Sequence, residues 1–474
     1  MKDNRYSIII VGTGFASSFF LKEYLANASP DDRILVLEKG DDIPYSWKLQ
    51  NQSNTWHNFS RDINNLTPQK PWVQNIAFGG GSCWTGNTPR MHPSDFKTRT
   101  THGVGEDWPF DYDELEPYLT EVEDFMGIAG SGTEEYPRSS PYKAEPHPYN
   151  ALDKLLKKKY GESYMPMPSA RASDPLVGRP PCCNNGVCSV CPIGSKFQVD
   201  LHMRSIYQDP RVTLLTGCDV RAVIIAGEVA KGVSYWKEGG EQEAYADFVA
   251  VGAHAIVTPF ILLNSGLDDF ALGRYLNEQI SVDVRVNLHN VDNFDGGQRV
   301  TGMGSMFINE SNRADIPGCL VENYNIPWLR AEYGKWRHVG FLKFVFEDIP
   351  SADNRVSVGN DNKINIEYPD YSDYMKRGLA DIQRRVDSLL EGLPVEDYQI
   401  MGHEGKDLGG SAHIHGTTRM GTNPETSVVD PQLLHHRVRN LAALGAGAFP
   451  TCPAANPTLI LSALSVRSAR KILR

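Results

Sequence analysis

The feature that most constrains this chain is at its start. Residues Tyr6 to Val11, YSIIIV, are a β-branched apolar run of the kind buried on both faces of a parallel sheet. Gly12-Thr13-Gly14 follows at once, and Phe15 to Leu25 has helical spacing. Arg33 to Leu37 then supplies a second buried strand that ends at Glu38. This is a βαβ opening with Gly12-x-Gly14-x-x-Ser17 in its turn. The first glycine makes the turn, and the second lets backbone amides approach a pyrophosphate at the positive end of the helix. The third position needs only a small side chain for helix–strand packing, which Ser17 provides. Glu38 stands where a carboxylate can accept ribose hydroxyls. The pattern reads as dinucleotide binding without separating NAD from FAD.

The rest of the chain narrows the class by exclusion. Its 474 residues carry 47 Lys and Arg against 58 Asp and Glu, a net charge of −11. A nucleic-acid or anionic-membrane binder needs a concentrated positive field, so neither is expected. No stretch reaches the roughly 18 consecutive apolar residues of a membrane span. FVAVGAHAIVTPFILLNSG comes nearest and is interrupted by His254, Thr258 and Pro259. The N-terminus reads as no secretion signal, which makes a cytoplasmic location the expectation. At roughly 100–200 residues per domain, the length implies two or three domains.

Further along, Gly79-Gly80-Gly81-Ser82 lies at the centre of a loop-rich stretch, and YDELEPYLTEVEDFMGI reads as a helix. Segments that alternate from about Val282 to Tyr368 predict antiparallel strands with one exposed face, followed by an amphipathic helix from Ser372 to Leu393. Trp328 and Tyr333 are candidates either for a pocket wall or for the core. Four of the eight cysteines, Cys182, Cys183, Cys188 and Cys191, fall close together in a loop. Adjacent cysteines seldom ligate one centre, so the loop offers about three ligands. It reads as an iron–sulfur site, as a zinc site completed from elsewhere, as a disulfide or as free thiols.

The C-terminal text decides among dinucleotide enzymes. It runs His413-Ile-His415-Gly416-Thr417-Thr418-Arg419-Met420-Gly421, then SVVDPQLL, then NLAALGAGAFPTCPAANPT. This resembles the C-terminal signature of the glucose–methanol–choline (GMC) family of FAD-dependent oxidoreductases. FGGGSCWTGNTPR, GVGEDWPFDYDELEPY and GAHAIVTPFILLNSG resemble further family stretches, in the family's order. The resemblance implies an α/β fold with a Rossmann-like FAD-binding domain and a mostly antiparallel-sheet substrate domain. It places FAD-binding segments at 1–110, 195–270 and 409–474. Segment 111–194 connects them and carries the cysteine-rich loop 182–191, and 271–408 binds substrate.

The resemblance also assigns residues. His413 takes the role of catalytic base, and Asn456 that of the partner that holds the substrate oxygen. A histidine suits the first task because its ordinary pKa is near neutral, whereas an amide cannot be a base. His415 is expected to be structural. Besides Gly12, Gly14, Ser17 and Glu38, flavin contacts are expected from Gly80, Gly81, Ser82, Val220, Ala446, Gly447, Asn456, Pro457 and Thr458. Cys83 precedes Trp84 where some relatives carry a histidine linked to FAD, so no histidyl link is expected there.

The cysteine stretch resembles one in the flavin subunits of bacterial sugar and gluconate dehydrogenases. This implies a [3Fe–4S] cluster on Cys182, Cys188 and Cys191. The expected reaction is oxidation of a CH–OH group of a sugar, polyol or sugar-containing metabolite, with electrons leaving through the cluster to an external acceptor. A redox partner or small subunit would then receive them. The alternatives are a cluster-free oxidase that forms hydrogen peroxide from oxygen, and a non-catalytic flavin redox sensor.

Overall fold

A computed structural model describes residues 5–53, 56–67, 72–175, 178–186, 188–401 and 410–473. Two seven-stranded sheets organise it. In the first, strand Arg5–Val11 pairs in parallel with Ile34–Leu37 on one side and with Gly240–Val251 on the other. Ile34–Leu37 in turn pairs in parallel with Val212–Leu215. The isoleucines of YSIIIV are almost wholly buried, as a strand covered on both faces requires. Helix Phe15–Asn27 returns the chain across the sheet and packs beside the final helix, Thr458–Ile472.

Strand Gly240–Val251 does two jobs along its length. Its first half pairs antiparallel with Val229–Lys237, which pairs with Asp219–Ala226. Its last three residues are flanked in parallel by Arg5–Val11 and by Leu441–Ala443. The C-terminal segment is thereby built into the N-terminal sheet.

The second sheet is antiparallel throughout. Its order is Val395–Met401, Asn277–Leu288, Val339–Phe346, Cys319–Tyr324, Val300–Phe307 and Tyr164–Pro166, and Gly410–His415 also pairs with Asn277–Leu288. The period-2 pattern accounts for its two faces. Ile280, Val282, Val284, Val286 and Leu288 point to a core shared with Leu152, Leu156, Met375, Leu379, Ile382, Val386 and Leu389. Gln279, Ser281, Asp283 and Arg285 alternate with them and take the other face. That second face differs from the expectation: part of it forms a wall of the central cavity instead of meeting solvent.

The predicted helix over 372–393 is two helices, Asp373–Ala380 and Ile382–Leu390, joined at Asp381. Trp328 and Tyr333 line no part of the cavity; Trp328 stacks under Arg285, and Tyr333 is fully exposed. The expected segment boundary at 408–409 lies outside the described residues. Among the described residues no helix is long and apolar enough to cross a membrane.

Candidate active site

A single cavity of about 480 Å³ runs from the N-terminal glycine turn to the second sheet. Gly12, Gly14, Glu38, Gly80, Val220, Ala446, His413, Asn456, Pro457 and Thr458 all line it. Ser17, Gly81, Ser82 and Gly447 stand behind that lining. Ser17 Oγ donates to Val11 O at 3.2 Å and so fastens helix to strand. A side chain on Gly81 would meet Val199 Cγ2 at 2.5 Å, and one on Gly447 would meet Thr418 Oγ1 at 2.9 Å. Ser82 is buried, and its carbonyl accepts from Lys196 Nζ.

The glycine turn has room for a nucleotide cofactor on the cavity side. Gly14 is the N-cap of helix Phe15–Asn27, no side chain caps that end, and its first turn holds no acid. The helix amides at that end are orphan donors, a fitting site for a pyrophosphate. A Cβ on Gly14 or Gly80 would meet nothing within 4 Å, so backbone is open to the cavity at both points. Glu38 meets more protein than the sequence suggested. Its Oε2 accepts from Thr13 N at 3.0 Å and Thr13 Oγ1 at 2.6 Å, and its Oε1 from Gly40 N at 2.8 Å and Ala77 N at 2.9 Å. These donors match the roughly four acceptor positions of a carboxylate. Glu38 therefore ties the glycine turn to the 77–78 loop.

At the far end of the cavity, strand Gly410–His415 carries His413 against Asn277–Leu288. The bonds around His413 fix its tautomer. Gln279 Nε2 donates to Pro453 O and to Ala455 O, the latter at 2.7 Å, and carbonyls only accept. Gln279 Oε1 must then face His413 Nδ1, 2.6 Å away, which makes Nδ1 the donor. Nε2 keeps its lone pair, and Asn456 Nδ2 stands 3.5 Å from it. Burial, aided by Lys343, pulls the His413 pKa down to about 4, so the ring is neutral at pH 7. His415 does not line the cavity and is stacked on Phe449 with centroids 5.2 Å apart.

Sequence reasoning missed Gln279 and the charged row behind it. Glu322, Lys343 and Asp283 lie opposite one another on three neighbouring strands. Lys343 Nζ is 3.0 Å from Asp283 Oδ1, and Glu322, Tyr324 and Lys343 line the cavity. Charges at alternate strand positions are the available signal, but a solvent face carries the same one.

The cysteine loop corrects an expectation. Among the described residues no three or more His, Cys, Asp or Glu side chains gather to hold a metal ion, so the [3Fe–4S] cluster expected on Cys182, Cys188 and Cys191 is not supported. The loop is anchored through its backbone instead. Cys182 N donates to Ala172 O at 2.8 Å, Cys188 O accepts from buried Lys196 Nζ, and Cys191 O accepts from the Tyr45 hydroxyl. Cys183 is exposed, Cys182 half-buried, and among the described residues no disulfide joins any of the eight cysteines.

Several buried or half-buried histidines share the depressed pKa of His413, and this predicts acid sensitivity. Desolvation holds His147, His202 and His254 down at about 4 and His415 at about 3. In the unfolded chain each titrates near 6.5. The unfolded state therefore binds more protons between these values, and the histidine contribution to stability is complete above about pH 6.5. It falls as pH drops toward about 4. Thermal melts across that range should show Tm falling with acidification, and a flat profile would contradict the assignment.

A glycine turn in a parallel sheet that opens on the same cavity as a half-buried imidazole is the architecture of a nucleotide-dependent oxidoreductase. Residues 369–465 match the family model described as GMC oxidoreductase. The chain is 26% identical to the fructose dehydrogenase large subunit of Gluconobacter japonicus over 539 aligned positions, covering 98% of this chain and 97% of that protein. It is also 26% identical to 6'''-hydroxyparomomycin C oxidase of Streptomyces lividus, over 99% of this chain and 92% of that protein. Among solved structures, pyridoxine 4-oxidase from Mesorbium loti superposes with a TM-score of 0.67 at 17% identity, covering 98% of this chain and 99% of that one. This last likeness concerns the fold. These matches support a GMC-type FAD-dependent oxidoreductase that acts on CH–OH donors.

Proposed function

We propose that this protein oxidises the CH–OH group of a sugar or polyol and passes the electrons directly to dioxygen, forming hydrogen peroxide. The observation that carries the reading is the fixed tautomer of His413, which leaves a neutral Nε2 beside Asn456 at one end of the cavity. The relatives support the substrate class, since one is a fructose dehydrogenase and another oxidises hydroxyparomomycin C. The latter is an oxidase, and the cysteine loop offers no relay of metal ligands among the described residues.

FAD would be held by Gly12, Gly14, Glu38, Gly80, Val220, Ala446, Asn456, Pro457 and Thr458, which line the cavity, with Ser17, Gly81, Ser82 and Gly447 shaping that site from behind. When bound it supplies a two-electron acceptor for the hydride that leaves the carbinol carbon. The protein's own part is the proton. His413 Nε2 takes the hydroxyl proton, and the Asn456 amide donates to the oxygen as negative charge develops there. Gln279 positions the base without touching substrate. Stopped-flow reduction of the anaerobic holoenzyme by a sugar and polyol panel, followed by admission of oxygen, tests the whole reading. Bleaching of the flavin and stoichiometric peroxide are expected. No bleaching by any alcohol would refute catalysis, and bleaching without oxygen uptake would refute the acceptor.

Gln279→Leu removes the acceptor that selects the tautomer. We expect kcat to fall about 10- to 100-fold, with KM and FAD content near those of the wild type, because orientation of the base is lost and not binding. An equal loss through KM alone would show that Gln279 binds substrate instead.

A further inference from the structure

Two buried polar atoms on the cavity wall lack partners, and they are complementary. Glu322 is 1% exposed and lines the cavity on the second sheet. Its Oε2 accepts from the Tyr324 hydroxyl at 3.0 Å, while Oε1 has no hydrogen-bond partner. Asn87, 2% exposed, lines the same cavity. Its Oδ1 accepts from Arg171 at 3.5 Å, while Nδ2 is unpaired. Burial pushes the Glu322 pKa up, and Lys343, the Tyr324 hydroxyl and the nearby Asn87 side chain pull against it, while no hydrogen bond of normal geometry reaches Oε1 or Nδ2. Lys343 makes no hydrogen bond to Oε1; its ammonium meets Asp283 at 3.0 Å and Ser281 at 3.3 Å. Glu322 stands opposite Lys343 on the neighbouring strand, and Asn87, Glu322, Lys343 and His413 line one cavity.

Leaving a buried acceptor and a buried donor unmade is costly, so such a pair marks a place where a ligand completes the bonding. An ammonium would satisfy Oε1 and leave Nδ2 without an acceptor. A ligand carboxylate would satisfy Nδ2 and repel Glu322. A hydroxyl both donates and accepts, so one such group completes both.

We propose that Glu322 and Asn87 form a hydroxyl-recognition subsite, so that the preferred substrate carries a second hydroxyl besides the one oxidised at His413. This deepens, and rests on, the reading of the chain as an oxidase of sugars or polyols. Monohydric alcohols would leave both buried atoms unpaired and would be poor substrates for that reason.

The test uses the FAD-loaded enzyme and a panel of D-fructose, D-glucose, D-sorbitol and 1,2-propanediol with 1-propanol. The best substrate is then compared with its single-deoxy analogues. For the wild type we expect one analogue, and 1-propanol, to lose about 100-fold in kcat/KM. In Glu322→Leu, and more weakly in Glu322→Gln, the parent should lose a similar factor, and discrimination against that analogue should collapse toward parity. Asn87→Leu should do the same. If Glu322→Leu fails to retain FAD, the isosteric Glu322→Gln and Asn87→Leu carry the same criterion. Discrimination that survives in the variants, or 1-propanol turned over as well as the best polyol, overturns the subsite alone. A wild-type flavin that no alcohol reduces overturns the oxidation reading and the subsite with it.

Discussion

His413→Ala is expected to slow alcohol-dependent flavin reduction by about a hundred- to ten-thousand-fold while FAD stays bound, the usual weight of a general base. Asn456, His415 and His254 are no substitutes for it. Asn456 has no basic atom, and His415 does not line the cavity and is stacked on Phe449. His254 also lines the cavity, but its Nδ1 accepts from Ile256 N at 3.3 Å and its ring packs on Phe59. Because Nε2 is already neutral at pH 7, the wild-type rate should be flat through neutrality and fall only on strong acidification. Added imidazole should restore part of the lost rate in the alanine variant. Reduction at the wild-type rate in that variant would remove His413 from the chemistry.

The second large effect is expected at the glycine turn. Gly12 has φ +91°, and a Cβ there would lie 2.5 Å from Gly252 O. That carbonyl belongs to a backbone pinned by the Gly252 N–H donating to Val11 O at 2.9 Å, so it cannot retreat. Gly12→Val adds a β-branched side chain in a left-handed conformation to this clash, at a cost of about 3 kcal/mol or more. The variant should purify without flavin and with a lowered Tm. Gly14→Ala is the informative control. Its Cβ meets no protein atom within 4 Å, so the fold should persist while the methyl intrudes where the cofactor's phosphates are proposed to lie. Visible flavin absorbance per mole of protein, read beside a thermal melt, separates the two variants. A Gly12→Val protein replete in FAD and as stable as wild type would contradict the argument.

What was legible in the sequence was what local chemistry dictates. Gly12 and Gly14 announce their turn because few other residues could make it, and IIIV announces a strand covered on both faces. His413 was legible only through the family resemblance of its H-x-x-G-T element, and the structure brings that residue to the same cavity as Asn456, 43 positions on. Gln279 was illegible because it lies 134 positions before His413 and meets it only through the pairing of two strands. Glu322, Lys343 and Asp283 were hidden for a different reason. Alternating charge on a strand looks the same whether it faces water or a cavity. The cysteine loop misled because a cluster needs thiols that converge, and spacing alone does not record where a backbone turns. Here the carbonyls of Cys188 and Cys191 do the anchoring.

The insertion of Leu441–Ala443 beside Val249–Val251 bears on how the protein is made. During synthesis at about 5–20 residues per second, some 190 residues must emerge between the two strands, which takes about 10–40 s. For that interval the edge at 249–251 has no neighbour on one side, among side chains that are wholly buried in the finished protein. An open apolar edge is a template for mispairing with other chains. The last seventh of the polypeptide therefore serves as a closing seal, and a nascent chain stalled before it is a natural client for a holdase chaperone.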